Sequence, residues 1–277
     1  MTIKNVDGLP VVGWLVNWSA TGYEVPRADL VALLTKVGID PNVARAVLPK
    51  NALGRAFKEH AKGHDKFHRK VSDGSERAVF AILETEVSNI DEIGIETTTK
   101  GYYDKSTHSP KVSGQNKSKV EESYGKRLET YASDQFRSIV LRYVKRYCSA
   151  VTYLDTGNLY FIPATKKAEL DKLIELFRVI GPPVKLNIKE EISTTQVRAV
   201  MWTLATKEIV ADIAKLKEDF NEIGDETSAR SMQLSLSKYD SLKTKVEMFE
   251  TVLSAEAGNL KQQLDDLNKA VRARMTA

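Results

Sequence analysis

Cysteine is nearly absent. Cys148 is the only one in 277 residues, so neither an internal disulfide nor a cysteine-based zinc cluster is available. No apolar run approaches the ~20 residues of a membrane span. The opening residues, Met1 to Asp7, lack the charged-then-apolar layout of a secretion signal. Both absences point to a cytoplasmic protein. No Gly-rich loop ends in Gly-Lys-Ser/Thr, which excludes a P-loop nucleotide site. Asp155-Thr156-Gly157 is the tripeptide of aspartic proteases, but two β-prone runs bracket it and turn chemistry accounts for it. Asp134, Asp155, Glu190 and Glu191 are the acids a metal-dependent nuclease would draw on, and nothing in their spacing asks for one. Cys148 follows an apolar helix face and reads as buried, not nucleophilic. The expectation is a protein with no enzyme activity and no cofactor.

What is present is charge, unevenly spread. Hydrophobic residues make up 42% and charged residues 28%, the balance of a soluble globular chain long enough for one large domain or two ordinary ones. From Arg45 to Lys70 there are eight basic residues against two acidic. From Glu76 to Glu96 there is one basic residue against six acidic, and from Lys100 to Ala150 eleven against five. Two basic stretches around an acidic one suggest a charged face that would steer a nucleic acid or an acidic partner. The plain alternative is a solvated surface.

The pattern along the chain is α+β. Val11 to Trp18 reads as a strand, with Val12, Trp14, Val16 and Trp18 on one side. Pro26 opens a helix over 27–37. Asp40 and Pro41 are an N-cap and a first helical residue for a short helix to Val47. Asn51 to Lys62 is a third, basic helix. Lys66 to Val71 and Arg77 to Val87 form a hairpin turned at Asp73-Gly74, whose residues accept the positive φ of a tight turn. Ile93 to Tyr103 is another strand. Residues 104–119 are polar and read as a flexible Lys/Ser-rich loop. Val120 to Cys148 reads as one long amphipathic helix, with Leu128, Ala132, Phe136, Ile139, Val140, Tyr143 and Tyr147 on one stripe. A hairpin over 151–162, a helix over 168–180 and a strand over 184–188 follow. The expected parts are a winged-helix-like region 1–103, the loop 104–119, an α+β region 120–192 and a coiled-coil-like helical hairpin 193–277.

Helix, helix, strand, turn, strand is the order of a winged-helix DNA reader. In that reading Asn51 to Lys62 is the recognition helix, with Arg55, Lys58 and Lys62 stepping along the face opposite Phe57. The hairpin is the wing, with Arg69 and Lys70 at the DNA backbone. Arg142, Lys145 and Arg146 cluster on the polar side of the long helix and would assist. Tyr102, Tyr103 and Tyr124 flank the lysines of the polar loop, Lys105, Lys111, Lys117 and Lys119, an interleaving that suits a single strand whose bases stack on rings; the plainer reading, which is favoured, is a solvated helix face and a flexible loop with the tyrosines tucked into the core. His60, His64 and His68, spaced four and four, are the metal candidates. Gly63 and the β-prone residues after it argue against a shared helix face, so no metal is expected.

In the C-terminal part, Ile209, Ile213, Leu216, Phe220 and Ile223 recur at threes and fours, and Gly224-Asp225 breaks the run. Tyr239, Leu242, Val246, Phe249 and Leu253 continue it, then Leu260, Leu264, Leu267 and Val271 after an interruption at Ala257. The second arm is longer than the first, so it must fold back near Gly258 or pair with another chain. A surplus apolar stripe there would favour a homodimer or higher oligomer.

The run from Gly157 to Pro163 (Gly-Asn-Leu-Tyr-Phe-Ile-Pro), followed by a Leu-rich helix and a strand, resembles uncharacterised proteins of phages and mobile elements. In those proteins a short strand ending in Tyr-Phe-Val/Ile-Pro precedes a helix and a long helical C-terminus. The resemblance covers Val120 to Ala277 and implies a phage or mobile-element context, with no activity and no site residues. The expected function is non-enzymatic binding of double- or single-stranded DNA, as a replication, partition or regulatory factor that self-associates through 193–277. The alternatives are a protein-interaction module that engages a host or viral partner through the helical hairpin and, behind it, a metal-dependent nuclease.

Overall fold

The computed structural model describes residues 8–63, 65–89, 92–154, 158–221 and 229–276. In chain order the elements begin with β1 (Val11–Ala20), β2 (Glu24–Pro26), α1 (Arg27–Lys36), α2 (Pro49–His60), β3 (Lys66–Asp73) and β4 (Arg77–Asn89). Then come β5 (Glu92–Asp104), β6 (Ser109–Gly114), α3 (Lys117–Glu129), β7 (Thr130–Ala132) and α4 (Ser133–Arg146). The remainder is β8 (Val151–Thr152), β9 (Tyr160–Pro163), α5 (Lys167–Ile180), β10 (Val184–Ile192), α6 (Thr195–Asn221), α7 (Ala229–Leu253) and α8 (Gly258–Thr276). The expected α+β class is what is found. Residues up to Thr21 and from Val140 onward form one compact unit, and Gly22–Ile139 form another. The N-terminal strand therefore belongs with the C-terminal half, a division that differs from the sequential parts read from composition. Among the described residues no helix is long and apolar enough to cross a membrane.

The first unit is built on an antiparallel sheet of order β10-β1-β9-β8. The central strand β1 is apolar on both faces because both are covered. Val12 and Leu15 join Val151 and Phe161 in one core with Met201, Ile209 and Ile213 of α6, Tyr239, Val246 and Phe249 of α7, and Leu260, Leu264 and Leu267 of α8. On the other face Trp18 stacks on Tyr160 with ring centres 5.0 Å apart. The hairpin expected over 151–162 forms, with Val151 opposite Phe161 and Thr152 opposite Tyr160. Asp155, Thr156 and Gly157 lie outside the described residues.

The C-terminal helices depart from an isolated hairpin. The second arm is two helices, α7 and α8, separated at Ser254, which adopts a positive φ of 51°. Glu250 secures the break by accepting the Ala257 N–H and the Lys261 ammonium. The arm thus folds back at the point where the periodicity stumbles. Leu260, Leu264 and Leu267, the stripe expected to drive dimerisation, are buried against their own chain. Gly224-Asp225, Ile223 and the side chains of Phe220 and Val271 lie outside what is described.

The second unit carries an antiparallel meander of order β3-β4-β5-β6. The turn expected at Asp73-Gly74 is present, with the Gly74 N–H donating to the Arg77 carbonyl at 3.0 Å. Three expectations are corrected. The short helix from Asp40 is a single 3₁₀ turn, Pro41–Val43, whose Asn42 N–H donates to the Asp40 side chain. The turn stops at Ala44, whose ψ of 71° leaves helical geometry, and the Ala44 and Arg45 carbonyls accept from the Tyr131 hydroxyl in place of helical N–H groups. The loop 104–119 is mostly ordered as β6 and the start of α3. Asp104 takes the N–H groups of Ser106 and Thr107, and an edge strand needs only one inward apolar residue, Val112. The long helix is interrupted by β7, which pairs with β2. There buried Tyr131 donates to the carbonyls of Ala44 and Arg45, so pairing and an anchored hydroxyl override helical periodicity.

Helix α2 seats directly on this meander. Leu53, Ala56 and Phe57 meet Ala78, Phe80, Ile82, Tyr103, Val112 and Val120 in one core. Two glycines allow the approach. A Cβ on Gly54 would lie 2.9 Å from the Phe80 ring, and one on Gly101 would lie 2.7 Å from the Lys111 carbonyl and 2.8 Å from the Phe57 ring. Gly125, on the exposed side of α3, has open space around it. Gly101→Ala should lower the unfolding free energy by about 2 kcal/mol through overpacking. Gly125→Ala should raise it by up to ~1 kcal/mol through helix propensity. Urea midpoints at unchanged slope check both, and an equal response at the two sites would contradict the seating.

Candidate nucleic-acid interface

The close seat of α2 decides what its basic residues can do. Beside α2, on the same face of the sheet, lies α3: Arg127 holds Glu59 through two bonds of 3.0 and 3.2 Å, and His60 bonds Ser123 at 2.8 Å. Arg55 pairs with Asp134 at 3.0 Å. Lys58 is exposed, and Lys62 is exposed beyond the helix end at His60. The expected three-residue face is therefore split between an ion pair, a free helical lysine and a residue past the helix. A helix held on a sheet beside a second helix does not project as a groove reader does, and its hairpin continues into two further strands where a wing would stop. The winged-helix expectation is corrected on both counts.

The other candidates scatter. Lys70 is drawn to the turn, where Lys50, Lys70 and Lys105 converge on Asp73 at 3.0, 2.6 and 2.9 Å. Hydrogen bonds from Lys70, Lys105 and Lys50 hold that carboxyl well below the usual range. His68 stacks on Phe80 in β3, and burial, aided by nearby Lys58, lowers its pKa. His60 is in α2, and His64 lies outside the described residues. Among the described residues no three of His, Cys, Asp and Glu gather as a metal site.

In the first unit, Arg146 is exposed with its guanidinium 5.4 Å from the Tyr147 ring, and Arg142 is half-buried on the same helix. Lys145 is internal to the fold. It donates to Glu208 at 2.6 Å and to the Thr152 hydroxyl at 2.9 Å. Glu208 also accepts from Lys245 at 2.8 Å and from the Thr152 N–H at 2.9 Å, which ties α4, β8, α6 and α7 together. Burial alone would raise the Glu208 pKa, but Lys245 and the bonds from Lys145, Lys245 and Thr152 bring it down to about 2. Cys148 is buried as expected, its thiol pushed up to about 12 chiefly by burial.

The feature that brings cations and rings together is the free face of the β3–β6 meander. Pairing puts Ser72 opposite Val79, Val79 opposite Tyr102, and Tyr102 opposite Lys111. The next row is Arg69, Ala81, Lys100 and Ser113, and the row beyond it is Phe67, Leu83 and Thr97. Strand alternation turns all of these away from the core residues Ala78, Phe80 and Ile82, so they share the face opposite α2 and α3. Arg77 lies on it too, 4.7 Å from the Tyr102 ring, with Lys111 5.9 Å from the same ring. Phe67 is 38% exposed and Ile95, further along the face, 63%. Four cations, Arg69, Arg77, Lys100 and Lys111, stand against one carboxylate, Asp104, which sits 3.8 Å from Arg77. Hydrogen bonds from Ser106 and then Thr107, aided by Arg77, hold Asp104 down at about 2.

Of the sequence candidates Arg69 is on this face, together with Tyr102 and Lys111 from the ring-and-lysine interleaving. Arg77, Lys100 and Phe67 are not among the residues that the sequence pattern marks as contacts. The acids between Glu76 and Glu96 hide the two flanking cations in a charge count. The available signal was the run Ala78 to Leu83, apolar at every position, which marks a strand with a second face to account for.

Removing the acceptor of a part-buried charge network leaves its donors under-paired. Glu208→Gln should therefore lower stability by about 2 kcal/mol. The depressed pKa means that the Glu208 contribution is complete above the ordinary carboxylate pKa and is lost as pH falls toward about 2. Thermal melts from pH 7 to 2 should show a weaker acid dependence for the variant than for the parent, and parallel curves would contradict this assignment.

No curated protein and no solved structure matches the chain. A family model described as a family of unknown function (DUF6744) matches residues 11–277, so the chain belongs to that family.

Proposed function

We propose that this protein is a non-enzymatic nucleic-acid-binding protein and that the free face of the β3–β6 meander is its binding surface. The observation that carries the reading is that face itself: four cations to one carboxylate, with Phe67 and Tyr102 among them, and both helices packed on the opposite side. Phosphates are drawn to such a surface by charge, and rings and aliphatics give bases something to lie on. Arg69 stays among the contacts expected from sequence. Arg55, Lys70 and Lys145 are engaged in internal ion pairs, and Lys58, Lys62, Arg142 and Arg146 have at most an auxiliary role. The task we propose is replication, partition or regulation in the cytoplasm; the resemblance bears only on the phage or mobile-element setting and implies no activity.

The test is fluorescence anisotropy with labelled oligonucleotides titrated with salt. Binding should weaken with a log–log slope of several units, at about −0.7 to −0.9 per phosphate contact. Arg69→Glu with Lys100→Glu should reduce affinity at least ten-fold, about 1.4 kcal/mol, with the melting temperature unchanged. Arg55→Ala should do the reverse, lowering the melting temperature and sparing binding. Absence of binding at low salt, or affinity untouched by the double reversal, would overturn the proposal.

A further inference from the structure

We infer that the ligand of this face is a single strand, its bases stacked on Tyr102 and Phe67 and its phosphates held by Arg69 and Lys100. The inference rests on the proposed nucleic-acid reading and adds the strand class. Three observations carry it. First, the part of the face that carries the cations is four strands broad, and the two-stranded run of β4 and β5 beyond it is acidic in sequence, with Glu86, Glu92 and Glu96. The major groove, ~12 Å wide, admits one helix or a two-stranded ribbon. A four-stranded sheet is ~14 Å wide before side chains are added, with strands ~4.8 Å apart, and the one basic helix of this unit is held on the sheet beside α3.

Second, the rings stand at opposite corners of the cation row. Tyr102 is in the row of Val79, and Phe67 in the row of Leu83, two strands away. Between them Arg69 and Lys100 flank Ala81 from either side. Ala81 is the smallest residue of its row and is 4% exposed, covered beneath the row. A strand crossing this diagonal would meet ring, cations and ring in turn. A duplex keeps its base faces inside its own stack, so both rings would idle against one. Sheets of this kind stack roughly two or three bases.

Third, the Tyr102 ring is already oriented. Arg77 approaches it at 4.7 Å and Lys111 at 5.9 Å. Arg77 lies over the ring, so a base that stacks there takes its place and frees the guanidinium for the adjacent phosphate.

The test compares a 12-nucleotide single strand with the duplex of the same sequence by anisotropy over the same series of salt concentrations. The parent should bind the single strand at least ten-fold more tightly. Tyr102→Leu with Phe67→Leu should remove most of that preference, weakening single-strand binding about ten-fold and leaving duplex affinity and the salt slope unchanged. Tyr102→Phe should bind as the parent does, and circular dichroism confirms that each variant is folded. If neither oligonucleotide binds, the nucleic-acid reading itself fails. If the duplex binds as tightly, or the ring variants keep full single-strand affinity while Arg69→Ala and Lys100→Ala lose it, nucleic-acid binding stands and the single-strand inference falls.

Discussion

The seat of α2 on the β3–β6 meander is the contact on which the functional surface depends. A sheet has two faces, and this unit has two helices to lay against it. Gly54 and Gly101 let α2 sink onto Phe80 and the backbone of β5, and Phe57 and Phe80 fill the space between, ring centres 5.9 Å apart. With Val120 of α3 added, the inner face is closed. That arrangement withdraws Arg55 and Glu59 into ion pairs and turns the helix from a reader into a buttress. It also leaves the alternate residues of all four strands on the face opposite α2 and α3. Burial on one side and availability on the other follow from the same packing.

The first unit uses a different device. Its sheet is covered on one face by α6, α7 and α8, and their shared core takes up the apolar periodicity of the C-terminal third from Ile209 to Leu216, Tyr239 to Leu253 and Leu260 to Leu267. Glu208 lies where four elements meet and collects two ammonium groups, a backbone N–H and a hydroxyl. A carboxylate in that position specifies register among the helices, because each partner reaches it from one direction only. The break at Ser254 is what allows α8 to return to this core. The stripe of Leu260, Leu264 and Leu267 is thereby used within the chain, and an oligomer is no longer needed to explain it.

Local signals were legible in the sequence wherever local chemistry dominates. The turn at Asp73-Gly74, the strand at Val11 to Trp18, the helices over 27–37 and 168–180 and the fold-back near Gly258 follow from turn residues and from periods of two or 3.6. Errors arose where a distant partner decides. Val120 to Cys148 has a good helical stripe, yet Thr130 to Ala132 leaves it to pair with Glu24 to Pro26, more than a hundred residues away. Residues 104–119 look too polar to order, but an edge strand and a capped turn tolerate that polarity. The candidate site suffered most. Basic residues near one another in sequence, such as Arg55 and Lys70, are spent on Asp134 and Asp73. Those that share a face, Arg69, Lys100 and Lys111, come from three strands and become neighbours only through register.

The most direct measurement is photochemical cross-linking of a short single-stranded oligonucleotide to the full chain, with the adducts located by mass spectrometry. Adducts confined to the outward residues of β3 to β6, with Tyr102 and Phe67 foremost, would establish the free sheet face as the binding surface. Adducts concentrated on α2, around Lys58 and Lys62, or along α6 to α8 would contradict it and return the search for function to those helices.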